Sequence, residues 1–142
     1  MSMNASFFGG TTEAKTVAVR MQADEAISAG DIVRNVAGDE GHIEKASASE
    51  GNAIGIAQSN ASAGSYSDVV RAGVMKVNFN VAPAASHNGK RVFLSETNGL
   101  CQATAPTASG TSIIQIGYLL GGDGSSTTPK VYVDIRVIAH NS

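Results

Sequence analysis

The chain writes one plan of short strands and glycine turns twice over. That doubling constrains its fold more than any other feature. Residues 30–46 read Gly-Asp-Ile-Val-Arg-Asn-Val-Ala-Gly-Asp-Glu-Gly-His-Ile-Glu-Lys-Ala; Asn-Ala-Ile-Gly-Ile-Ala follows at 52–57 and Ser-Tyr-Ser-Asp-Val-Val-Arg-Ala-Gly-Val at 65–74. From Gly89 the order returns: Gly-Lys-Arg-Val-Phe-Leu-Ser-Glu-Thr-Asn-Gly-Leu-Cys-Gln-Ala, then Ile-Ile-Gln-Ile-Gly-Tyr-Leu at 113–119, then Lys-Val-Tyr-Val-Asp-Ile-Arg-Val at 130–137. Gly30, Gly41 and Gly55 answer to Gly89, Gly99 and Gly117, an offset of about 60 residues, which is the mark of an internal structural repeat. The repeat spans residues 30–74 and 89–137.

The individual stretches read as strands. Thr16–Met21 alternates and is β-branched. Ile32–Val36 and His42–Ala46 flank Gly38-Asp39-Glu40-Gly41, a hairpin turn whose glycines supply positive φ. Ala53–Ala57 is apolar on both faces and so is expected at the centre, with Gly55 marking a close backbone approach or a bulge. Tyr66–Arg71 and Val74–Val81 follow, the second with Val77, Phe79 and Val81 dry and Lys76, Asn78 and Asn80 wet. After the linker 83–89 come Arg91–Ser95, Leu100–Ala103, Ile113–Leu120 and Lys130–Ile138. The last sets Val131, Val133, Ile135 and Val137 against Tyr132, Asp134 and Arg136. Only Gln22–Ala29 leaves room for a helical turn. The prediction is an all-β fold of about ten short strands. Two related β lobes fit it, and so does one closed sandwich or barrel.

A length of 142 residues sets one domain, here 13–142, behind an N-terminal arm at 1–12. Trp is absent and aromatics make up 5% of the chain, so the core must be thin and built from Val, Ile, Leu and Ala. Half of the four Phe sit together as Phe7-Phe8, before Gly9-Gly10-Thr11-Thr12. A terminus is normally polar. An apolar pair there needs a surface, either on a neighbouring subunit or partner or on its own core. Phe7, Phe8, Thr11 and Thr12 are the candidate interface residues.

Composition excludes several functions. Ten basic residues are scattered among twelve acidic ones for a net charge of −2, whereas nucleic-acid binding needs clustered Lys and Arg. A lone cysteine, Cys101, rules out an internal disulfide and reads as a small apolar filler. No stretch reaches the ~20 apolar residues of a membrane span, and the first residues lack the charge and apolar core of an export signal. Asn4-Ala5-Ser6 and Asn60-Ala61-Ser62 are therefore expected to be chance matches to a glycosylation pattern. His42, His87 and His140 lie too far apart for a metal motif. Gly121-Gly122-Asp123-Gly124-Ser125-Ser126 resembles a phosphate or calcium loop. No helix follows it, and one Asp cannot fill a calcium shell, so it reads as a hairpin loop. With no nucleophile elbow, phosphate-binding loop or paired-histidine motif, no enzyme, cofactor or metal site is expected.

Residues 26–33 (Ala-Ile-Ser-Ala-Gly-Asp-Ile-Val), 41–46, 52–57, 64–74 and the ending Leu-Leu-Gly-Gly-Asp-Gly-Ser-Ser-Thr-Thr-Pro-Lys-Val-Tyr-Val-Asp carry a resemblance. Over roughly residues 13–138 the chain resembles the small capsid cement, or decoration, proteins of tailed bacteriophages. The resemblance implies a structural virion protein, made in the host cytoplasm. It would sit on the outer face of the mature head and hold the major capsid protein against the pressure of packaged DNA. It also implies self-association, as a homotrimer or else a dimer. The rival function is a receptor- or carbohydrate-binding β module of a phage fibre or tail. Against it stand the missing Trp and the presence of only three Tyr.

Overall fold

The computed structural model describes residues 18–142. Among these, ten strands form two sheets with no α-helix. The strands are β1 (Ala18–Ala23), β2 (Ile32–Asn35), β3 (His42–Lys45), β4 (Gly55–Ala57), β5 (Tyr66–Val70), β6 (Ala72–Lys76), β7 (Arg91–Leu94), β8 (Cys101–Gln102), β9 (Ser112–Leu119) and β10 (Lys130–His140). One turn of 3₁₀-helix, Ala85–His87, lies in the linker.

The first five strands close a barrel in the order β1-β3-β2-β4-β5, and the other five make a sheet in the order β6-β10-β9-β7-β8. The two share one pattern of pairing. In the barrel, Val33 pairs with Gly55 and Ile32 with Ile56. In the sheet, Val92 pairs with Gly117 and Arg91 with Tyr118. Asn35 with Ile43 corresponds to Leu94 with Cys101. Val19 with Val69 corresponds to Met75 with Val131, and Ala18 with Val70 to Val74 with Tyr132. Even the parallel pairing of β1 with β3 has a counterpart in the isolated parallel bridge from Phe79 to Cys101. There Cys101 N–H donates to Asn78 O at 2.8 Å and Asn80 N–H to Cys101 O at 3.1 Å. The second sheet thus curls nearly closed on the plan of the first.

The core explains why so many strands are apolar on both faces. Val33, Ile43, Ala57, Val69, Met21 and Ala23 fill the barrel interior. Their strand neighbours Ile32 and Ile56, with Ala46, point the other way. They join Val77, Phe79, Leu94, Ile114, Ile116, Val131 and Val133 in a larger cluster between barrel and sheet. Polar bonds fix that junction. Asn78 Nδ2 donates to Asp31 Oδ1 at 2.9 Å and to Ala29 O at 3.0 Å, and Ile32 N–H to Gly99 O at 2.9 Å.

Two local expectations need correction, and one point left open is decided. The strand read over Val74–Val81 ends at Lys76, because after it the chain leaves β10, bonds to Gly30 and crosses to β8. Val77 and Phe79 remain buried, but Val81 is 71% exposed. The alternation of the last strand holds for Val131 and Val133 and fails at Val137, which is 72% exposed. Register shifts between Gln115 and Gly117 and between Ile113 and Ile114 change which residues face inward, as bulges do. Gln22–Ala29 forms no helical turn. β1 runs through Ala23, and Ile27 bridges Ala61.

Candidate functional site

Phe7, Phe8, Thr11 and Thr12 lie outside the described residues. Within them, two apolar surfaces stand out. The first is a row across the outer face of the second sheet. Val74 pairs with Tyr132, Tyr132 with Tyr118 and Tyr118 with Arg91, so their side chains line up across four strands. Val74 is 59% and Tyr132 52% exposed. The alternation in β10 placed Tyr132 on a wet face. A Tyr at two aligned positions of that face was the available signal that it carries an apolar stripe.

The second is a cleft of about 280 Å³ reaching the barrel core. It is lined by Val19 and Met21 of β1, Asn35 ending β2, Ile54 preceding β4, Val69 of β5, and Arg71. Val19 is 54% exposed, although its pairing with Val69 puts it on the interior side.

The titratable groups are placed differently. Cys101 is fully buried, and that burial pushes its thiol well above the ordinary value, so it stays protonated and unreactive. Residues 121–129 form the loop between β9 and β10, as expected. In it, Asp123 Oδ1 accepts from Ser125 N–H at 2.8 Å and Ser126 N–H at 2.9 Å. Those donors hold the exposed carboxyl below its ordinary value. Spacing did not foretell that His42 Nδ1 would sit 2.6 Å from Asp24 Oδ1, with Asp39 within 4.8 Å of both. The three meet because β3 lies parallel to β1 and the hairpin turn folds beside it. Asp24 and Asp39 are exposed and His42 is half-buried, and all three lie outside that cleft. Arg34 pairs with Glu44 across β2 and β3 and with Glu50 at 2.5 Å, closing a surface ion network beside the barrel.

The family model of the phage cement proteins matches residues 11–135. The chain belongs to that family and is a structural virion protein. Among solved structures it is similar to the N-terminal base of head fibre gp8.5 of bacteriophage phi29. The identity is 15%, the TM-score 0.60, and the match covers 89% of this chain and all of that one. That likeness is one of fold. A comparison with curated protein sequences gives no match.

Proposed function

We propose that the protein binds the outer surface of an assembled phage capsid and bridges neighbouring subunits of the major capsid protein, as a homotrimer. The stripe of exposed Val74 and Tyr132 with half-buried Tyr118 carries the reading. A monomer in solution gains nothing from large apolar side chains aligned on a solvent-facing sheet, whereas a contact surface does. Membership of the cement family and the near-neutral charge balance support it. A protein on the outside of a shell has no need of the basic surface that DNA demands.

The N-terminal arm supplies a second anchor, with Phe7, Phe8, Thr11 and Thr12 docking on a neighbouring subunit. Several weak contacts held in one oligomer add through effective concentration. Binding only the expanded shell stabilises that state by mass action. The test of the arm is deletion of residues 1–12, followed by heat-induced DNA release from decorated heads. The truncated protein is expected to dissociate and release DNA at lower temperature. Unchanged retention of protein and DNA removes the arm from the account.

A further inference from the structure

The pairing that barrel and sheet share allows each residue of one to be matched to a residue of the other, and this exposes an asymmetry. The cleft residues Val19, Met21, Asn35, Ile54, Val69 and Arg71 correspond by register to Met75, Val77, Leu94, Ile116, Val131 and Val133. In the second half these positions are filled and covered. Val77, Leu94, Ile116, Val131 and Val133 have no exposure, and they pack in one cluster with Ile32 and Ile56, which come from the outer row of the first barrel. That outer row, Ile32-Ile56-Val70, corresponds to Arg91-Tyr118-Tyr132 in the second half. So within one chain the outer row of the first half covers the interior of the second. The outer row of the second half, and the matching cleft of the first, are both left open.

The geometry points to head-to-tail association of copies of this chain, in which the Val74-Tyr132-Tyr118 stripe of one copy covers the Val19-Met21-Ile54-Val69 cleft of the next. The contact repeats between molecules the docking already made within one. The chemistry of the two faces agrees. A cleft of about 280 Å³ has room for an aromatic ring, since a cavity of ~150 Å³ holds benzene. Arg71 on its rim is placed to lie over a tyrosine ring. The two faces differ, so the interface is heterologous, and rotation that closes gives a ring. This inference rests on the self-association in the proposed function and names the surfaces that make it.

The test uses the full chain and sedimentation velocity. Tyr132→Glu removes the stripe and Val19→Glu removes the cleft, and both lie on the surface. Each variant alone is expected to be a folded monomer by circular dichroism where the unaltered protein is an oligomer. An equimolar mixture is expected to give a 1:1 dimer, because one intact stripe meets one intact cleft. As a second measurement, Val19→Cys and Tyr132→Cys chains, mixed and oxidised, are expected to form a disulfide-linked dimer. An unaltered protein that stays monomeric, variants that still assemble, or a mixture that stays monomeric overturns the inference. Val19→Cys that crosslinks to Phe8→Cys instead of Tyr132→Cys also overturns it, giving the cleft to the arm. A monomer that still binds heads defeats this inference and the homotrimer with it, and leaves capsid binding standing. An oligomer of the stated design that ignores heads does the reverse.

Discussion

Gly117 lies so close to Tyr132 that no side chain can be carried there: a Cβ would collide with the Tyr132 carbonyl oxygen. The matching residues repeat the arrangement, for a Cβ on Gly55 would lie 2.8 Å from the Val70 carbonyl oxygen. Backbone obstructs both positions, joined at Gly55 by a Val69 methyl at 2.6 Å, and a backbone carbonyl cannot turn away as a side chain can. Gly117→Ala and Gly55→Ala are each expected to destabilise by about 3 kcal/mol or more, measured by urea unfolding. A loss under about 1 kcal/mol would mean that the strands separate freely at these points.

Ile56 stands where barrel and sheet meet and is fully buried in their shared cluster. Ile56→Ala is expected to cost about 2–5 kcal/mol. Both halves should then unfold together, in the variant as in the parent. Amide exchange in β2 and β9 followed through the transition checks this. A sheet that outlasts the barrel would show the halves to be independent.

Much of this fold is legible in the residues. The turns at Gly38-Asp39-Glu40-Gly41 and Asn98-Gly99 announce hairpins because positive φ is cheap only for glycine there, and Gly41 and Gly99 have φ of 79° and 81°. The two-sided apolarity of residues 53–57 correctly foretells a central strand, buried over Gly55–Ala57. What stays hidden depends on partners distant in sequence. Asn35 and Leu94 occupy matching positions, yet nothing local says that one edges a cleft and the other fills a core. Val137 continues the apolar alternation of its sequence and still faces water, because β10 carries an extra residue against β9 at each of two register shifts, and no local signal marks them. His42 and Asp24 meet only through a parallel pairing that no turn announces.

Cys101 links burial to alkaline stability. Its folded pKa is raised, so between the unfolded value of about 8.5 and the higher folded one only the unfolded chain loses the thiol proton. Its contribution to stability is therefore full below about pH 8.5 and falls as pH rises beyond it. Unfolding curves across that range are expected to show the decline, and Cys101→Ala to lessen it. The native thiol should resist alkylation until the protein unfolds, and rapid labelling of the folded chain would contradict the burial.

Asp123 gives the opposite sign on the acid side. Two backbone donors favour its charged form, so its folded pKa lies below the unfolded value of about 3.9. Its contribution is present above that value and fades as pH falls through the folded pKa. A carboxyl-resolved NMR titration should give a midpoint below about 3.9, with the Ser125 and Ser126 amides shifting in the same step. A midpoint at or above the ordinary value would mean the loop bonds do not form.

The central claim is attachment to an assembled shell. It is tested most directly by mixing the purified protein with mature, expanded heads of the cognate phage and sedimenting them over a range of protein concentrations. Saturable co-sedimentation, weakened by Tyr132→Glu and accompanied by a higher temperature of DNA release, is the predicted result. Protein that stays in the supernatant at every concentration, with DNA release unchanged, would contradict it.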